Sequence, residues 1–109
     1  MTVLIIETNL IWSIRLAKSV RALGHDVTII PNCELTSEAD VAILNLSSPS
    51  IESDISILKS KGITTIAHAG HKEKEKMEFG RIAGVNRIVS NSELTFKLES
   101  ILSELAVER

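Results

Sequence analysis

The chain has 109 residues, 12 basic against 14 acidic for a formal net charge of −2, which fits one compact domain, residues 1–109, and leaves no room for a second. So balanced a charge provides no basic footprint for nucleic acid and no polybasic patch for a membrane surface, and at 3% aromatic residues the chain has no stacking platform for bases. Ile, Val and Leu supply 34 residues and Tyr none, so the core must be built from branched aliphatics, and the lone cysteine, Cys33, excludes an internal disulfide framework and a Cys-rich zinc site while fitting a reducing cytoplasm.

The first apolar run, residues 3–6, has no basic segment before it and stops at Glu7; it is neither a signal peptide nor a membrane span. Short, β-branched and apolar on both faces, it predicts a strand buried in a parallel sheet. Thr8 or Asn9 then caps a helix over residues 10–23, and Gly24 stops it. Trp12, Leu16, Val20 and Leu23 form one stripe of that helix and Leu10, Ile14 and Ala17 a second beside it, so the broad apolar face is expected to pack on the sheet and on a neighbouring helix.

Residues 27–30 predict a second strand, ended by Pro31-Asn32, and residues 41–46 a third. The link between them, 31–40, has room for one helical turn at most. Ser48-Pro49 reads as a helix start, with Ile51, Ile55 and Leu58 on one face and Gly62 as the stop. Residues 63–67 predict the fourth strand, which leaves His68 just after it. The alternating charges of residues 72–76 lead into Met77, Phe79, Ile82 and Ala83, a helix whose last turns dock and which ends at Gly84. A short fifth strand, 87–89, precedes a last helix capped by Ser92, with Leu94, Leu98, Ile101, Leu102 and Leu105 facing inward.

Strands alternating with helices at this length predict an α/β fold, a single doubly wound five-stranded parallel sheet of flavodoxin-like order 2-1-3-4-5, with the second helix shortened or missing. Chemistry in such folds sits at the carboxyl ends of the strands. That rule singles out Glu7, Thr8, Asn45, His68, Ser90 and Asn91.

Five strings in order carry a resemblance. Residues 3–7 (Val-Leu-Ile-Ile-Glu), 23–27 (Leu-Gly-His-Asp-Val), 40–45 (Asp-Val-Ala-Ile-Leu-Asn) with Pro49, 63–69 (Ile-Thr-Thr-Ile-Ala-His-Ala) and 83–85 (Ala-Gly-Val) are together similar to the receiver domain of response regulators, over nearly the whole chain. The resemblance implies an acidic pair after the first strand that holds Mg²⁺, an aspartate at the third strand's end that accepts a phosphoryl group, and a hydroxyl residue and a lysine that contact it.

All four chemical positions depart. Asn45 stands at the phosphoacceptor, and a carboxamide cannot form the acyl phosphate. Glu7 is followed by Thr8, which leaves one carboxylate for a cation that prefers several oxygen ligands. His68 occupies the hydroxyl position, and Asn91-Ser92 replaces Lys-Pro. The joint loss implies a degenerate receiver: no catalytic residue, no cofactor, no metal, and function in signalling or regulation through a protein partner or a homodimer, with no output domain attached.

Other constellations are weaker. His68 and His71 flank Ala69-Gly70, and two surface-loop histidines are the reading preferred over a metal pair. Ser47 and Ser48 belong to a helix start more simply than to a modification site, no glycine-rich turn follows the first strand, and Cys33 has no adjacent base to activate its thiol. On the outward side of the last helix Phe96, Ser100, Ser103 and Val107 form a shallow strip that another helix can meet, and in receivers the surface of the fourth helix, fifth strand and fifth helix is the usual contact face. The rival expectation is a small-ligand-binding or catalytic flavodoxin-like domain that uses Glu7, Asn45 and His68, and a third is a regulator subunit phosphorylated elsewhere.

Overall fold

The structure, a computed structural model, describes residues 1–32 and 38–108, with side chains to residue 105. Five parallel strands, β1 (Thr2–Ile6), β2 (Asp26–Ile30), β3 (Val41–Asn45), β4 (Thr64–Ala69) and β5 (Arg87–Ser90), form one sheet in the order β2-β1-β3-β4-β5. Helices cover both faces. The expected doubly wound fold and strand order are therefore present, with five helices: α1 (Leu10–Ala22), α2 (Ile51–Ser60), α3 (Lys74–Ala83), α4 (Asn91–Phe96) and α5 (Leu98–Glu108). Between β2 and β3 the described residues, 31–32 and 38–40, are not helical. The rest of the 31–40 link, with its room for one helical turn at most, and Cys33, expected to be inert, fall outside the described residues.

Because side chains alternate along a strand, each face of the sheet takes every second residue. Val3, Ile5, Val41, Ile43, Ile66 and Val89 pack with Leu16, Ala17 and Val20 of α1 and with Leu94, Leu98, Ile101, Leu102 and Leu105 of α4 and α5. Leu4, Ile6, Ala42, Leu44, Ala67 and Ala69 pack on the other face with Ile55 and Leu58 of α2 and with Met77, Phe79 and Ala83 of α3. Burial of both faces explains why the central strands β1 and β3 read as apolar runs over Val3 to Ile6 and Val41 to Leu44.

Several boundaries differ from expectation, each for a local reason. Helix α1 starts as expected: Asn9 Oδ1 accepts the Trp12 N–H at 3.1 Å. Helix α2 begins at Ile51 behind Ser50, not at Pro49; Ser48 and Pro49 form the turn before it, and the Ser50 hydroxyl donates to buried Asp54 at 2.7 Å. The last helix is two. Lys97, at φ −121 and ψ 20, separates α4 from α5, and the cap is Ser90, not Ser92: Ser90 Oγ accepts the Glu93 N–H at 3.1 Å while Glu93 Oε1 accepts the Ser90 N–H at 3.1 Å. This reciprocal pair satisfies two orphan donors of the helix terminus.

Strand β4 runs two residues beyond the expected end, through His68 to Ala69. Its first half reaches past the start of β5, which pairs only from Ile66 onward. There Asn86 closes the gap: its Oδ1 accepts from the Thr65 N–H at 2.9 Å and the Thr65 hydroxyl at 3.1 Å, and its own N–H donates to Thr65 Oγ1 at 3.1 Å. Of the second apolar stripe of α1, Ala17 is buried in the core but Leu10 and Ile14 are not. Leu10, Ile11 and Ile14 are 67%, 76% and 60% exposed, and Ile82 of α3, expected to dock, is 73% exposed. Among the described residues no helix is long and apolar enough to cross a membrane.

Candidate functional site

The same alternation that builds the core on the α1 side places the site. Two residues beyond Ile5, Ile43 and Ile66 lie Glu7, Asn45 and His68, so these three form one row across the carboxyl edge of the sheet. Asn45 and His68 are direct register partners, and His68 is in turn level with Val89. Helix α1 opens above this row and α4 beside it.

Glu7 is buried, with 8% exposure, and both oxygens of its carboxylate accept N–H donors. Asn45 Nδ2 donates to Oε1 at 3.0 Å, and the backbone N–H groups of Thr8 and Asn9 donate to Oε2 at 2.9 and 3.3 Å. Charge-assisted bonds of this kind are the strong ones. Asn45 is pinned at its other end, where Oδ1 accepts the Ser47 N–H at 2.8 Å. A carboxamide fits here because it donates to Glu7 and accepts from Ser47 at once; a carboxylate only accepts. Thr8 contributes through its backbone, and its side chain is exposed.

His68 overturns the surface-loop expectation. It lies inside β4 with 3% exposure, its Nδ1 2.7 Å from Asn91 Oδ1. Since an amide oxygen only accepts, the ring nitrogen carries the proton. Trp12 lies across the imidazole, ring centroids 4.5 Å apart and planes inclined by 28°. Burial pushes His68 below the ordinary histidine value, while the Asn91 hydrogen bond and the Glu7 charge pull it back up. His71, by contrast, is exposed, and no group of three or more His, Cys, Asp or Glu that could hold a metal occurs among the described residues.

Sequence reasoning thus brought Glu7, Asn45, His68 and Asn91 to one place but missed Trp12, read as core stripe alone. The available signal was its position, three residues after the Asn9 cap, where the first turn of α1 faces the strand ends. A second omission is the link from α3. Lys76 Nζ donates to Ser47 Oγ at 2.7 Å and to Glu73, and Glu73 Oε1 accepts the Gly70 N–H at 2.8 Å; the Lys76 and Gly70 bonds hold the Glu73 carboxyl below its usual range. Phe96, 84% exposed, Ser100 and Ser103 lie outside this cluster on the exposed side of α4 and α5, and the Val107 side chain falls outside the described residues.

The 2-1-3-4-5 parallel sheet with helices on both faces is the fold found in response-regulator receiver domains. Solved structures bear this out. The chain superposes on the receiver domain of the sensor histidine kinase PA1611 from Pseudomonas aeruginosa PAO1, determined with magnesium in its active-site cleft, with a TM-score of 0.78 at 18% identity, over 95% of each chain. A CheY-like receiver domain protein from Methanospirillum hungatei JF-1 gives 0.77 at 16% identity, covering 99% of this chain and 98% of that one. A member of a streptococcal family of redox sensors that evolved from two-component response regulators gives 0.78 at 12% identity, covering 95% of this chain and 50% of that one. At these identities the likeness is one of fold. No protein-family model and no curated protein matches the sequence.

Proposed function

We propose that this chain is a pseudo-receiver: a non-enzymatic module of a signalling or regulatory system that takes no phosphoryl group at residue 45 and acts through contacts with a protein partner or a second copy. The observation that carries the reading is the Asn45–Glu7 bond, 3.0 Å long. It fills, with a neutral donor, the place where a receiver needs a nucleophilic carboxylate and a cation between two acidic groups. Glu7 brings one carboxylate whose oxygens already accept N–H groups, and buried His68, tied to Asn91, replaces the hydroxyl that would steady a phosphoryl oxygen. The streptococcal redox sensors that evolved from two-component response regulators share the fold, which supports a reading in which it takes up another sensing or regulatory role.

The test is incubation with acetyl phosphate and Mg²⁺, and separately with beryllofluoride and Mg²⁺. The expected result is an unchanged intact mass and unchanged fluorescence of Trp12, which stands at the edge of the site. Stoichiometric, acid-stable and base-labile phosphorylation, or a saturable fluorescence change with beryllofluoride, overturns the reading.

A further inference from the structure

The outer face of α1 combines two features that the core does not require. At about 100° per residue, Ile11, Arg15 and Lys18 stand opposite the buried Ser13, Leu16, Ala17 and Val20, and Leu10, Ile14 and Arg21 lie on the adjoining flank. All six are exposed. The first two turns present Leu10, Ile11 and Ile14 to solvent, each at least 60% exposed, and the cations follow along the same face.

The charge of this helix is one-signed. Helix α1 holds Arg15, Lys18 and Arg21 and no acidic residue, and none of the three joins an ion pair among the described residues. Arg21, in the last turn, complements the negative end of the helix dipole; Arg15 and Lys18 lie too far from that end to gain from it. Along α4 and α5, on the same side of the sheet, the sign reverses: Glu93, Glu99 and Glu104 are exposed, with Lys97 as the cation among residues 91–105. The net charge of −2 therefore averages over helices of opposite sign, and the local balance on α1 differs from that of the whole chain.

Shape decides between kinds of partner. Leu10, Ile11 and Ile14 stand clear of the cleft lined by Trp12, Leu16, Leu94 and Leu98 and of the one lined by Thr8, Ser48 and Ser53; they form a convex ridge. Protein partners anchor through side chains seated in pockets. The fluid boundary between lipid headgroups and acyl chains instead closes around projecting aliphatics, and its phosphates take ammonium and guanidinium groups without a fixed register.

We propose that this face of α1 docks on an anionic lipid surface, with Leu10, Ile11 and Ile14 dipping into the acyl boundary and Arg15, Lys18 and Arg21 resting on the headgroup phosphates. A few aliphatics or a few cations alone give marginal partitioning; together they give reversible attachment. The acids of α4 and α5 are repelled by the same surface, which sets the orientation of the domain. The inference stands apart from the pseudo-receiver reading: it concerns where the module acts, whatever residue 45 accepts.

Co-sedimentation of the full chain with vesicles tests it, using phosphatidylcholine alone and phosphatidylcholine with about a third phosphatidylglycerol. Binding is expected to the anionic vesicles only, and raised salt is expected to release it. Lys18→Ala/Arg21→Ala is expected to weaken binding about 25-fold, at about fivefold for each cation, and Ile11→Ser/Ile14→Ser to weaken it about tenfold, with circular dichroism to show that both variants are folded. Failure to bind the anionic vesicles, equal binding to neutral ones, or binding that either pair of substitutions leaves unchanged overturns the proposal. Sedimentation velocity without vesicles separates the rival occupant: self-association that Ile11→Ser/Ile14→Ser abolishes, in a chain that ignores vesicles, would assign the face to a second copy and overturn it as well.

Discussion

Asn45→Asp restores the residue type a receiver carries at this position, and its cost follows from the Glu7 contact. The new oxygen lies about where Nδ2 now sits, 3.0 Å from Glu7 Oε1. Two unit charges at that separation repel by about 5 kcal/mol at an effective dielectric constant of about 20. The protein has a cheaper course: a shared proton lets the new carboxylic acid donate to Glu7 as the amide does. Holding that proton at pH 7 against ordinary carboxyl values near 4 costs about 4 kcal/mol, at 1.36 kcal/mol for each pH unit. The native pair therefore binds a proton that the unfolded chain releases. Stability of the variant rises as pH falls, and the loss relative to wild type shrinks to about 1 kcal/mol at pH 5. Urea denaturation measures it directly: with a slope of about 2 kcal/mol per molar, the midpoint drops by about 2 M at pH 7 and by about 0.5 M at pH 5. Adding Mg²⁺ at pH 7 is expected to recover part of the loss, since the variant has two carboxylates to offer the ion. A variant as stable as wild type at pH 7, or a loss that does not change between the two pH values, refutes the claim that Asn45 is selected by its bond to Glu7.

Three further outcomes follow from the same geometry. The lowered His68 value means that the unfolded chain takes up a proton before the native one, so stability is lost as pH falls through 6.5 toward the native-state value; His68→Gln is expected to flatten that part of the profile in urea denaturation, and an unchanged slope counts against it. Trp12→Ala uncovers the imidazole, and the His68 titration midpoint, followed by NMR, is expected to move up toward the ordinary value; a midpoint that stays put would show that the tryptophan does not shield it. Ser90→Ala removes the Oγ acceptor of the α4 cap and is expected to cost about 1–2 kcal/mol and several degrees of Tm, with thermal unfolding by circular dichroism as the check.

The central strands β1 and β3 were legible because both of their faces are covered, so that Val3 to Ile6 and Val41 to Leu44 are apolar runs that cannot be solvated. What the sequence obscured has physical causes too. The string Thr-Thr-Ile-Ala-His-Ala hides the last part of β4, because the buried imidazole depends on Trp12 and Asn91, which are distant in sequence. Periodicity identified the inward faces of α1 and α3 but overstated them: Leu10, Ile14 and Ile82 fit the helical spacing and yet point away from the sheet. The expected fifth strand stops at residue 89 and the expected cap is Ser92, whereas Ser90, extended at φ −78 and ψ 162, both ends β5 and caps α4. In the polar row, the strand-end rule located the residues. It could not reveal that Asn45 and Glu7 bond to each other, which depends on their facing side chains.

The Asn86 bridge to Thr65 has a bearing on solubility. Beside β5, a strand of four residues, the uncovered beginning of β4 would present a free backbone donor at Thr65, a foothold on which an extended segment of another chain could start a non-native ladder. Asn86 occupies that donor with a side-chain oxygen, which accepts as a strand carbonyl does but cannot continue the ladder outward. At the level of Thr65, where β5 has not yet begun, the ladder is thereby closed by a residue that imitates a strand without extending one, which removes that foothold for edge-to-edge pairing without an additional strand.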